Sequence, residues 1–116
     1  MEVDPLSLEI RRIVTDSDLD GVTTAAILKR WWVDAKVVFG HPGELRAGLL
    51  DGEIDAFTAV CDLPRHPNCG LSIDHHQSNQ PSEYSEGDTV IVWRPTPSAA
   101  RIAYDLVGDR VDLSDL

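Results

Sequence analysis

The chain has 116 residues, the size of one small domain with a single core. Its hydrophobic fraction of 42% is too high for a disordered chain, and no apolar run approaches the ~20 residues that a bilayer span requires. A net charge of −10 excludes a broad basic groove for duplex nucleic acid, but not a short nucleotide ligand whose charge is met by metal ions.

Fourteen Asp and six Glu stand against eight Arg and only two Lys, Lys29 and Lys36. This balance resembles that of proteins from salt-loving archaea, in which concentrated salt screens the self-repulsion of an acidic chain. The segment Met1-Glu2-Val3-Asp4-Pro5 has neither the basic nor the apolar region of a signal peptide, so a cytoplasmic location without membrane contact is expected. Cys61 and Cys69 form no C-x-x-C pair and are expected to be reduced thiols.

In chain order, Ile10 to Thr15 reads as a first strand, and Val22 to Trp32 as a helix carrying Trp31 and Trp32 as core or partner contacts. Ala35 to Phe39 is a second strand, Pro42-Gly43 a turn, and Glu44 to Leu50 a short helix ended by Asp51-Gly52. Ile54 to Val60 is a third strand and Leu71 to Ile73 a fourth. Gln77 to Asp88 is polar, contains Pro81 and Gly87, and reads as a loop. Thr89 to Trp93 is a fifth strand. Pro97 to Val107 is a last helix, with Pro97 or Ser98 at its start and Gly108 after its end. Short strands separated by helices predict an α/β fold, a three-layer domain with a mostly parallel sheet flanked by helices.

In such a sheet the ligand lies beyond the carboxyl ends of the strands. Three parts of the sequence would meet there. Asp16-Ser17-Asp18-Leu19-Asp20-Gly21 puts three carboxylates at alternate positions after the first strand, with Gly21 for a tight turn into the helix. Left unpaired they would repel one another, and a divalent cation removes that cost. A cap on the following helix is the simpler role for Asp20. An EF-hand also opens with D-x-D-x-D-G, but no glutamate closes this loop and a strand, not a helix, precedes it. Asp62 ends the apolar run Phe57 to Cys61, where packing alone does not explain a carboxylate. Asp74-His75-His76 follows the fourth strand and combines carboxylate with imidazole, a donor set suited to Mn²⁺, Zn²⁺ or Fe²⁺.

The segments V-T-D-S-D-L-D-G-V-T-T-A-A-I-L (residues 14–28), C-D-L-P (61–64) and I-D-H-H-Q-S-N (73–79) resemble, in order and spacing, the first three motifs of the DHH phosphoesterase family. The resemblance covers roughly residues 10–108, and the D-x-D-x-D-G form is most similar to the RecJ-like branch. It implies a parallel α/β domain holding two divalent ions, Mn²⁺ foremost and Mg²⁺ next, that hydrolyse phosphate esters. By matching positions, Asp16 and Asp18 would hold one metal and Asp20 the other, with Asp62 bridging both and His75 a ligand. Asp62, His75 and His76 would form the catalytic group, His76 facing the substrate phosphate or supporting the site, and Asp74 would back the histidines. Arg65, Ser78 and Asn79 lie beside the motifs as candidate phosphate contacts.

The family pattern also has a fourth metal-binding aspartate and a C-terminal substrate-binding domain. Asp109 and Asp112 are the only candidates for the former, so residues 1–116 are expected to be the N-terminal metal-binding domain alone, with weak activity. A second copy in a homodimer is one source of the missing ligand. The expected function is hydrolysis of phosphodiester bonds at single-stranded nucleic-acid ends or in short oligonucleotides, as by a RecJ-like exonuclease. A non-catalytic metal- or nucleotide-binding partner module is the alternative, and an inorganic pyrophosphatase-like enzyme the second. The acidic composition itself gives a prediction: the melting temperature should rise from low to molar potassium chloride, and a steady fall over that range would refute the halophilic reading.

Overall fold

The computed structural model describes residues 4–77 and 89–114. Its regular elements are β1 (Arg12–Asp16), α1 (Leu19–Leu28), β2 (Lys36–Gly40), α2 (Pro42–Arg46), β3 (Thr58–Cys61), β4 (Leu71–Asp74), β5 (Val90–Trp93) and α3 (Ala99–Gly108). Short 3-10 turns lie at Pro5–Ser7 and Asp51–Glu53.

The five strands form one sheet in the order β2-β1-β3-β4-β5, and every pairing is parallel. Of the three inner strands, β3 and β4 are buried along their whole length, as expected of strands covered on both faces. On one face, α1 and α3 pack with Ile13, Ala59, Cys61, Leu71, Ile73 and Val92 around Leu28, Ile102 and Val107. On the other face a smaller core joins Val14, Val60 and Leu63 to Leu45, Leu50 and Ile54 from α2 and the turns after it. The result is the expected three-layer α/β domain, with one thick and one thin helical layer.

The element boundaries differ from the sequence reading for local reasons. Helix α1 begins at Leu19 because Asp18 caps it, its carboxylate accepting the Gly21 N–H at 2.8 Å. It ends at Leu28, so Trp31 and Trp32 lie in the turn beyond it. Their indole N–H groups donate to the carbonyls of Leu6 and Leu8, and Trp32 joins the core, which fastens the N-terminal segment to the sheet. Pro42 opens α2 instead of turning the chain: His41 and Glu44 form a reciprocal cap, and proline fits the first helical turn. Strand β3 starts only at Thr58, since Asp55 accepts the Phe57 N–H and the Thr58 hydroxyl and so bends residues 55–57 into a turn. Strands β1 and β4 each run on to an aspartate, Asp16 and Asp74. Cys61 and Cys69 are both free and buried.

Gly21 lies inside the first turn of α1 with ordinary helical geometry, so the chain does not use its conformational freedom. What matters is the missing side chain: a Cβ here would collide with the carbonyl of Asp16, and the Thr15 hydroxyl donates to the Gly21 carbonyl at 3.0 Å. Gly21 thus sets how closely α1 approaches the end of β1. Gly21→Ala should lower the unfolding free energy by about 1–3 kcal/mol, as overpacking of a tight contact does; a chemical-denaturation midpoint equal to wild type would show that helix and strand can part freely.

Candidate metal centre

From β1 the chain passes to β2 on one side and then crosses to β3 on the other. The strand order therefore reverses between β1 and β3, and the crevice at their carboxyl ends is where ligands of open α/β sheets bind. Asp16 is the last residue of β1, Asp62 the first after β3, and Asp74 the last of β4, followed by His75 and His76. Asp18 and Asp20 reach the same crevice from the cap and first turn of α1.

Asp62 is the centre of the group. Its N–H still pairs with the Ile73 carbonyl at 2.9 Å, but its backbone is left-handed, with φ of 56°. Aspartate is among the few side chains that tolerate this region, and strained backbone of this kind gathers at functional sites. Its side chain is only 3% exposed. Burial, the charge of Asp20, a hydrogen bond to and the charge of Asp18, and the charge of Asp74 push its carboxyl up to about 8.

Two sets of donor atoms share this residue. Atoms of Asp16, Asp18 and Asp62 lie within 4.8 Å of one another, and so do atoms of Asp62, Asp74, His75 and His76. The histidines are held in definite orientations. His75 Nδ1 lies 3.1 Å from the Thr96 carbonyl, an acceptor, so Nδ1 carries a hydrogen and donates it. Its Nε2 then faces Asp20 at 3.4 Å and Asp62 at 3.6 Å. A bare lone pair against two carboxylates would be repelled, so a cation, either a proton or a metal, belongs in that gap. His76 Nδ1 sits 2.6 Å from Asp74, whose buried carboxylate orients the half-exposed ring.

Asp20 has a further role that the sequence did not disclose. Its two carboxylate oxygens accept the N–H groups of Ala99 and Ala100, at 2.9 and 2.8 Å, at the start of α3. These bonds join α1 to α3, and a carboxylate at a helix N-terminus contributes on the order of 1–2 kcal/mol. Asp20 belongs to neither compact donor set, although its Oδ2 faces His75.

The last residue of β5 and the connector after it supply partners that no motif announced. Thr96 orients His75, and the Trp93 indole donates to the His76 carbonyl at 2.8 Å. Arg46, at the end of α2, joins Asp16, Asp62, Asp74 and His76 around a cavity of about 110 Å³. Arg65 is not on that wall; it borders the adjoining cavity. Ser78 and Asn79 lie outside the described residues. Asp109 and Asp112 follow the C-terminal end of α3, whereas Asp20 binds its N-terminal end. A ten-residue helix, ~15 Å long, separates them from the crevice, so they do not complete the donor sets.

The residues fit divalent ions. Oxygen donors dominate, one oriented imidazole nitrogen joins them, and the buried carboxylate that gains most from a cation lies in both sets. No family model matches the sequence, and no curated protein matches it. Among solved structures, the chain is similar to the pGpG-specific phosphodiesterase PggH from Vibrio cholerae, at 31% identity and a TM-score of 0.59. The match covers 81% of this chain and 28% of that one.

The raised carboxyl of Asp62 sets a pH dependence for the metal-free protein. A folded value above the unfolded one favours folding at low pH, and that advantage is lost as pH rises through the folded value. In the presence of a chelator, wild type should therefore lose stability relative to Asp62→Asn from about pH 4, the unfolded value, up through about pH 8, the folded one. At the upper end the variant should melt higher, by ~4–8 °C for each kcal/mol of repulsion removed. Millimolar Mn²⁺ should reverse the order by binding the folded wild type. Parallel melting curves at every pH would show that Asp62 is not under this electrostatic load.

Proposed function

We propose that this chain is the metal-binding domain of a DHH-family phosphoesterase that hydrolyses phosphodiester bonds of short oligonucleotides. The observation that carries the reading is the buried Asp62 carboxylate shared by two donor sets at the switch point of a parallel sheet. Its support from outside the chain is the likeness to a solved phosphodiesterase. Asp16, Asp18 and Asp62 would hold one ion. Asp62 and His75 would hold the other, in the gap that Asp20 also faces, with Asp74 fixing the His76 ring. Bound Mn²⁺ or Mg²⁺ would lower the pKa of water and neutralise charge on the phosphoryl oxygens.

The protein groups divide the remaining work. Asp62 keeps the donor sets together, and Thr96 holds His75 with Nε2 inward. His76, half-exposed and anchored through Nδ1, would use its other nitrogen to bind a phosphoryl oxygen or protonate the leaving oxygen. The thin second layer and the acidic surface favour a short substrate over a long strand, whose many phosphates need many cations. The D-x-D-x-D-G segment keeps a RecJ-like action on single-stranded ends as the second reading. Under either reading a further metal carboxylate comes from outside the described residues, in the same polypeptide or a second copy, and turnover stays low until it is present.

The test is release of mononucleotides from a 5′-phosphorylated dinucleotide and from a long single strand, each with Mn²⁺ or Mg²⁺. The dinucleotide should be preferred, and Asp62→Asn should reduce kcat by ~100-fold or more. His76→Gln should lower kcat more than it changes KM. Equal activity of wild type and Asp62→Asn would remove the metal mechanism. Metal-dependent stabilisation without hydrolysis of either substrate would leave a binding module.

A further inference from the structure

Strand β5 lies at the edge of the sheet, and its two faces differ. Val90 and Val92 join the core beneath α1 and α3. Ile91 and Trp93 alternate with them, so they point to the opposite face, the one that α2 covers further along the sheet. Among the described residues neither belongs to a hydrophobic core. The other two tryptophans do, since Trp32 is buried in the larger core and Trp31 packs against it. We propose that Trp93 is a stacking platform for a nucleobase of the substrate, and is the residue that makes the site demand a base beside the scissile phosphate. The inference rests on the phosphodiesterase reading and adds to it how the uncharged part of the substrate is held.

The register of the sheet places the ring. Trp93 is the last residue of β5 and pairs with Asp74, the last residue of β4. Partners on neighbouring parallel strands share a face, so the indole stands on the side where Asp74 lines the crevice with Asp62 and His76. Asp62 follows β3, and β5 lies two strands away from β3. With ~4.8 Å between neighbouring strands, Trp93 starts roughly 10 Å from Asp62, about the reach of one nucleoside from its phosphate.

The chemistry of the ring selects the ligand. The one polar atom of the indole, Nε1, donates to the His76 carbonyl at 2.8 Å. With that donor taken, what the half-buried side chain offers is a flat aromatic surface held at a fixed angle. A base stacks on such a surface whatever its sequence, because every base has a π face. The same hydrogen bond ties the platform to the reacting end of the site. Asp74 holds His76 through its ring at 2.6 Å, and Trp93 holds it through its carbonyl. The base and the phosphoryl group that His76 faces are thereby placed relative to one another. A tryptophan that served only to support His76 would need its N–H but would gain nothing from a base, and this difference is measurable.

The experiment compares a dinucleotide with two forms of it that each lack one base. Binding is measured with phosphorothioate-linked forms in Mn²⁺, and hydrolysis with the natural forms. Wild type should bind at least one abasic form ~10–100-fold more weakly than the intact dinucleotide, the range that base–aromatic stacking supports. Trp93→Leu should bind that abasic form and the intact dinucleotide alike. Trp93→Phe, which keeps a ring and loses the N–H, should retain part of the ratio. The intact dinucleotide should quench tryptophan emission in wild type and not in Trp93→Phe, because Trp31 and Trp32 lie beyond the far end of α1, a helix ~15 Å long. Should Trp93→Leu fold poorly, the emission of Trp93→Phe decides the question, and quenching that persists there overturns the inference. It is also overturned if wild type binds all three forms equally, or if Trp93→Leu keeps the base-dependent ratio. An equal loss of kcat on intact and abasic forms with that ratio unchanged overturns it too, since Trp93 would then act only through His76. A base-dependent ratio that is lost in Trp93→Leu, without hydrolysis of any form, would uphold the platform and refute the phosphodiesterase reading.

Discussion

Carboxylates from three separate parts of the chain are forced into one crevice, and one of them, Asp62, is buried there. Like charges at this distance in a site of low polarity cannot all remain ionised without a counter-charge. In the metal-free protein, burial and the charges of Asp20, Asp18 and Asp74 hold the Asp62 carboxyl well above its ordinary range, at about 8. A divalent ion relieves the crowding, because it satisfies several carboxylates at once. Much of the surrounding architecture keeps these groups from moving apart. Gly21 lets α1 press against β1, and Asp20 ties α1 to the start of α3. Asp62 leaves β3 in a left-handed turn that aims its carboxylate inward.

The sheet itself enforces this crowding. Strands β1, β3 and β4 are adjacent and parallel, so residues that follow them in sequence become neighbours in space. Asp62 and Asp74 come from paired strands, and Asp16 comes from the strand on the other side of β3. The register of Thr15 with Cys61 and of Cys61 with Ile73 sets the three aspartates at nearly one level. A shift of one residue in β3 would turn the Asp62 side chain to the other face and dismantle both donor sets. The dense burial of β3 and β4 is the device that forbids such a shift.

Much of this could be read from the sequence, because the fold and the acidic motifs are local patterns. Each strand was visible as a short apolar run, and the motifs were visible because carboxylates and histidines stood where packing did not call for them. The limits fell where tertiary partners decide. The cap at Asp18 moved the start of α1 three residues earlier than its apolar run suggested. The Asx turn at Asp55 shortened β3. Thr96, Trp93 and Arg46 were illegible for a different reason: each acts through a carbonyl, a ring edge or a position on a wall, and none has a spacing that marks it. The link from Asp20 to Ala99 and Ala100 spans 79 and 80 residues, a separation no local pattern can report.

On the proposed phosphodiesterase reading, a strongly anionic chain must confine the positive charge that meets an anionic substrate. Here the confinement has two parts. At the scissile bond the cations would be the metal ions, held by the very carboxylates that make the chain acidic. One step away, Arg46 and Arg65 border a second cavity, while Arg11, Arg12, Arg101 and Arg110 are bound in ion pairs elsewhere. On the proposed reading such a surface would repel a long polyanion at many points and attract a short one beside the crevice. Each added phosphate beyond the second would meet acidic surface and lose affinity, more so at low salt, where screening is weak. Selection for short substrates then needs no wall that blocks a longer chain. On that reading it follows from concentrating positive charge beside the crevice of an otherwise acidic chain.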